Sequence, residues 1–169
     1  MANGSTFDAY LQIDGIPGES LDDKHKDWIE VLSYSHGMQQ PTSTTRSSAG
    51  GGTTGRATHD DFVITKFIDK ASPKLYEALS TGKHFGKVKI EVCRAGGHQV
   101  KFLEINMEEV LISQIHSTAN GHSGSGDQLP QDSVALNYGK IEWIYTQQKR
   151  TDGSGGGNVQ AKHDLTAGK

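Results

Sequence analysis

Between Asp60 and Gly97 the hydrophobic pattern changes period twice, and few folds can absorb that in so short a stretch. From Phe62 to Ile68 the period is two. Phe62, Ile64 and Ile68 share one face and Val63 and Phe67 the other, so this strand is apolar on both sides. Ser72 then offers a hydroxyl to cap the free N–H groups of a helix, and Pro73 fits its first position, where a missing donor costs nothing. Leu75, Ala78 and Leu79 follow at the spacing of one helical face and Gly82 supplies a left-handed stop, which predicts a short helix over Pro73–Ser80. So short a helix is unstable alone and must lie on a sheet. Beyond it Val88, Ile90 and Val92 alternate with Lys87, Lys89 and Glu91, a strand with one dry and one wet face, and Cys93 falls on the wet side.

The run FVITKFIDKASPKLYEALSTGKHF followed by a strand ending in CRAGG closely resembles the haemolysin-coregulated protein (Hcp) family, the tube protein of bacterial type VI secretion. The resemblance extends from about Phe7 to about Gln148 and is strongest in the middle. It implies a single β-barrel domain of two curved, mostly antiparallel sheets with one flanking helix. Copies would join into hexameric rings, and rings would stack into the inner tube of a contractile injection machine. Implied partners are other copies of the chain, sheath and spike proteins, and small secreted effectors sheltered in the lumen. The protein would wait in the bacterial cytoplasm and leave with the tube, without a signal peptide.

The rest of the chain fits a turn-rich β protein: 21 of 169 residues are glycine. Phe7, Ala9, Leu11 and Ile13 alternate with polar residues before the turn Gly15-Ile16-Pro17-Gly18, giving a first strand. Glu19 to Asp27 is charged and reads as a solvated connection; His25 beside Asp22 and Asp23 lacks a second ligand cluster and reads as surface, not metal. From Trp28 to His36 both parities carry apolar bulk, as in a barrel wall that also touches a neighbour or in an ordinary core strand covered on both sides.

Residues 38–58 are low-complexity Gly, Ser and Thr that cannot bury themselves, so they read as a protruding arm. The resemblance implies that this arm contacts the next ring, with Gln40, Thr44, Arg46 and Arg56 as stacking residues. Gly50-Gly51-Gly52 has no following Lys or helix and is no phosphate cradle.

Two later segments slip phase. Ile105 and Met107 give way to Val110 and Ile112, which predicts a bulge or bend near Glu108. Val134, Leu136 and Tyr138 give way to Ile141, Trp143 and Tyr145, with Gly139 as pivot. Long strands that change face midway suit the corners of a barrel. Residues 117–132 form a second polar loop, and His122, Asn120 and Asp127 within it, with His116 just before it, lack the spacing of a zinc site. The resemblance implies that Ser117, Asn120, His122 and Ser123 face the lumen and its cargo. After a Gly-rich turn, Val159, Ala161 and Leu165 suggest a final strand; here KHDL around His163 stands where the family carries a Trp in a GWD-like motif.

Several function classes fall away. A net charge of −3 without a basic cluster argues against nucleic acid as partner. The N-terminus has no signal-peptide pattern, no window is long and apolar enough to insert in a membrane, and Asn3-Gly4-Ser5 is a chance glycosylation triplet. One cysteine excludes an intramolecular disulfide and leaves a bridge between subunits formally open. HExxH, GxSxG, Walker and dinucleotide motifs are absent, and His59, Asp60 and Asp61, being successive, cannot converge on one substrate. The expectation is a structural protein with no enzymatic activity, no cofactor and no metal. A monomeric small-ligand-binding β-barrel is the alternative.

Overall fold

The computed structural model describes residues 5–42, 55–96, 99–121, 129–149 and 155–168. These form strands β1 (Phe7–Ile13), β2 (Ile29–Val31), β3 (Ser33–Ser35), β4 (Met38–Gln39), β5 (Thr58–His59) and β6 (Phe62–Phe67), helix α1 (Ser72–Thr81), then β7 (His84–Arg94), β8 (Lys101–Thr118), β9 (Gln131–Asn137), β10 (Lys140–Gln148) and β11 (Gly155–Asp164). The main sheet runs β2-β1-β7-β8-β9-β6-β3, with β10 on β8 and β11 on β10, and every pairing is antiparallel. β2 and β3 lie at opposite edges of this sheet yet are separated only by Leu32, whose N–H donates to the Thr65 carbonyl at 2.8 Å. One stretch of chain therefore passes from one edge to the other and draws the sheet into a barrel-like wall, although the ladder does not run unbroken around it. The interior is filled by side chains, among them Leu11, Ile29, Phe62, Ile64, Ile90, Met107, Leu136 and Ile141, and Leu75 and Ala78 of α1 are buried with them.

The expected changes of face are made at one corner. β9 and β10 are two halves of a long strand lying against β8, interrupted at Tyr138 and Gly139. Opposite them Glu109 takes φ 54°, and buried residues switch there from Ile105 and Met107 to Val110 and Ile112. The unusual backbone angle thus sits on Glu109 and not on the expected pivot Gly139, and it is a bend without an inserted residue. The bulge itself comes later, between Ile112 and Gln114.

Four local expectations are corrected. Ser72 does not cap α1: the cap is Ala71, Asp69 Oδ1 accepts the Ala71 N–H at 2.9 Å, and the Ser72 hydroxyl turns inward to other partners. Gly82 does end the helix, with φ 65°. β6 stops at Phe67, so Ile68 is exposed and Lys66 takes the core position on the Phe62 and Ile64 face. The charged segment 19–27 is not a solvated connection. It lies across the outer face of β1 and β7 as a strap, with Ser20 and His25 buried. Gly18 N–H donates to the Asp27 carbonyl at 2.8 Å, and a Cβ on Gly18 would overlap the returning backbone at Trp28 and Ile29. Cys93, beneath the strap, is consequently buried, and burial together with Glu91, Asp22 and Asp8 pushes its thiol up to about 11. A thiol so placed cannot bridge subunits without local opening.

Candidate assembly surfaces

The arm has an ordered stalk. Met38 pairs with His59 and Gln39 with Thr58, the Gly55 N–H donates to the Pro41 carbonyl at 3.0 Å, and Gln40 Nε2 donates to the Gly55 carbonyl at 3.3 Å. Gln40 therefore braces the stalk from its exposed surface. Arg56 is also exposed, with its guanidinium against Gly168 in the turn after β11. Thr44 and Arg46 lie outside the described residues, as does Gly50-Gly51-Gly52.

At the foot of the stalk three histidines gather that are scattered in sequence. His36 Nε2 lies 2.5 Å and His59 Nδ1 3.0 Å from the Tyr138 hydroxyl, and the His59 ring stacks face to face on His163 of β11, centroids 5.0 Å apart. Burial first, and then the neighbouring imidazole, lowers both His36 and His59 below the usual histidine value; Asp60 partly opposes this at His36. Burial pushes the Tyr138 phenol far up, reinforced by Asp61 and Asp60. The Asp61 carboxylate accepts hydrogen bonds from Ser113 and from Asn137.

Beneath α1 lies a second polar cluster. Lys66 and Asp132 are fully buried; Lys66 Nζ contacts Asp69 at 2.8 Å, Ser72 Oγ at 2.9 Å and Asp132 at 3.8 Å. Asp132 accepts hydrogen bonds from Ser72 (2.7 Å), Tyr76 (2.7 Å) and Ser117 (2.6 Å). Burial alone would raise Asp132, but hydrogen bonds from Ser117, Ser72 and Tyr76 with the charge of Lys66 hold it below the ordinary carboxyl value. The Lys66 to Ser72 spacing would suit a base activating a nucleophile. Both groups are sealed from solvent, the Ser72 hydroxyl donates to Asp132, and Lys66 Nζ donates to Ser72 and the Phe67 carbonyl beside the Asp69 carboxylate, so the arrangement is an anchor between helix and sheet. Ser117, at the end of β8, is part of that anchor although its residue is exposed; Asn120 is exposed just beyond, and His122 and Ser123 lie outside the described residues.

The outer wall is charged and laced with ion pairs, such as Lys101 to Glu104 (2.5 Å) and Lys101 to Glu91 (3.3 Å). Open clefts of about 410 Å³ and 540 Å³ lie along β7, β8, β10 and β11, lined largely by Lys, Glu and Asn. The barrel interior is occupied by core side chains, among them Phe62, Met107 and Leu136. Two exposed apolar patches stand apart from each other. One is the facing pair Tyr145 and Val159, on β10 and β11; the other is Phe67, Ile68 and Leu129, where β6 and β9 end. Among the described residues, no helix is long and apolar enough to cross a membrane.

Local pattern could not show the histidine cluster or complete the Lys66 anchor, because His36, His59 and His163, and likewise Lys66 and Asp132, lie tens of residues apart. The available signals are charged residues on buried parities, at Lys66 beside Phe62 and Ile64 and at Asp132 beside Val134 and Leu136.

Residues 10–145 match a family model described as type VI secretion system effector, Hcp. Over 154 residues the chain is 38% identical to protein hcp1 of Pseudomonas aeruginosa, covering 90% of this chain and 91% of that protein. It is 30% identical over 132 residues to the major exported protein of the same organism, covering 76% and 74%. A solved type six secretion system protein superposes with a TM-score of 0.87 at 31% identity, covering 96% of this chain and 98% of the other.

Proposed function

The chain belongs to the Hcp family of type VI secretion system proteins, and from that premise we propose that it is the structural subunit of the secretion tube, assembling into hexameric rings that stack. The observation that carries this reading is a filled interior combined with two exposed apolar patches on different elements. A closed ring needs one patch of the chain to meet a different patch of the next copy through a rotation that closes, and stacking needs a further pair of end surfaces. The patches at Tyr145 with Val159 and at Phe67, Ile68 and Leu129 suit the first need. The arm, on its braced stalk, suits the second, with Gln40, Thr44, Arg46 and Arg56 toward the neighbouring ring. Export follows the tube's expulsion, and sheath and spike proteins of the same machine are the further partners. Ser117, Asn120, His122 and Ser123 are the residues proposed to face the lumen and hold small effectors.

Imaging of negatively stained particles tests this. Deleting residues 50–54, which spares the Gly55 pairing, should leave rings intact and shorten or abolish stacks. Loss of the rings themselves would move the arm to the lateral contact. In the same preparations, rings with alanine at positions 120 and 122 should retain less of a cognate effector, and undiminished retention would remove those residues from the lumen.

A further inference from the structure

We infer that His36, His59 and His163 form a pH-operated latch, which fastens the foot of the arm to the corner of the barrel and to the C-terminal strand near neutrality and releases it on acidification. This goes beyond the tube reading and holds whether or not rings form. His36 directly follows β3, with only Gly37 between it and the outgoing strand of the stalk, and His59 lies in the returning strand, so both feet of the arm meet a single phenol oxygen. Tyr138 has one proton. It can donate to one imidazole while accepting from the other, a pairing that neutral rings of complementary tautomer satisfy completely. With both rings protonated, the same oxygen faces two donors, and its own proton is left with the Asp60 carbonyl at 3.5 Å. The second fastening fails in the same direction: His59 and His163 lie parallel, 5° apart in plane, and two imidazolium rings stacked in this way repel.

The surrounding charges do not rescue the protonated state. Asp60 is the carboxylate that acts on His36, and it is outweighed by burial and by His59. On the His163 side, Lys140 lies between Glu108 and Asp164, 3.8 Å from each, so those carboxylates already share a cation; Lys162 adds positive charge on the same strand, and Arg56 adds more at the turn beyond. Asp61 is held by Ser113 and Asn137. His36 and His59 are depressed in the folded protein. Their contribution is therefore complete above the ordinary value of 6.5 and is lost as pH falls below it through the depressed values.

The test uses the full chain and two readouts. Histidine ring C–H resonances, assigned with His36→Gln, His59→Gln and His163→Gln, should place His36 and His59 below the ordinary midpoint, and H163Q should move His59 upward. Backbone hydrogen exchange, corrected for intrinsic rates, should be faster in residues 36–40, 55–60 and 156–164 at pH 5 than at pH 7.5. H163Q should flatten that dependence, since the stacked repulsion is gone. Ordinary midpoints that ignore H163Q would overturn the latch, and so would exchange in those segments that is the same at both pH values.

Discussion

Replacing Asp132 with alanine is expected to destabilise the fold by about 3–5 kcal/mol, the usual cost of breaking a buried ion pair from one side. Asp132 is wholly buried and is the common acceptor for Ser72, Tyr76 and Ser117, so its loss strands the buried Ser72 hydroxyl and part of the Lys66 charge and removes an acceptor from the other two. Lys66 keeps Asp69 and the Phe67 carbonyl, which limits the damage on its side. Asparagine at the same position retains the shape and some acceptors and should fall between wild type and alanine. Adding Lys66→Met to the alanine variant should cost less than the two single losses combined, because both changes act on one network. Urea midpoints at fixed protein concentration measure this, a shift at constant slope being the signature of a pure stability change. The deficit is also pH-dependent. Asp132 is depressed in the folded state, so its contribution is complete above the ordinary value of 3.8 and is lost as pH falls through the lower folded value. The wild-type and D132A midpoints should therefore converge in strong acid. A D132A midpoint equal to wild type at neutral pH would mean that helix and sheet are held together without this anchor.

His25→Ala is expected to cost about 2–4 kcal/mol, since it leaves two carboxylates facing each other without the ring that separates them. Asp22 lies 2.5 Å from one ring nitrogen and Glu91 2.7 Å from the other, and the ring stacks on Tyr10 at 4.2 Å. Both carboxylates retain some contact with water, which is why the figure is set below that for Asp132. Phenylalanine in place of His25 separates the two contributions: it preserves the stacked shape while removing both hydrogen bonds. H25F should remain closer to alanine than to wild type, and it should expose the Cys93 thiol to a modifying reagent as the strap loosens. If H25F matches wild type in urea midpoint and thiol protection, the strap is held by packing and its charges are incidental.

The two residues behind these predictions also mark where sequence reading stops. Strands such as Phe7–Ile13 and His84–Arg94 were legible because alternation survives wherever one face is buried, and α1 because Pro73 and Gly82 bracket a short apolar stripe. Lys66 and Asp132 were missed because a periodicity argument counts apolar residues, and a charge neutralised by a partner from another strand occupies a core position just as well. The strap was misread for the same reason: its charges look solvated until Glu91, on β7, is brought beneath His25. The corner between β9 and β10 was visible as a phase slip. Its mechanism, a left-handed Glu109 on the facing strand, was not, because nothing in a glutamate announces a positive φ. Of the residues proposed for assembly, Gln40 and Arg56 stand on the stalk and Ser117 in the anchor, while the histidines at the foot of the stalk come from three distant segments.

Light scattering on the purified full chain at micromolar concentration addresses assembly through outer surfaces most directly. A species of about six times the 18.3 kDa chain is expected, and replacing Tyr145 and Val159 with charged residues should reduce it toward the single-chain mass. A wild-type protein that elutes as a stable monomer would contradict the account.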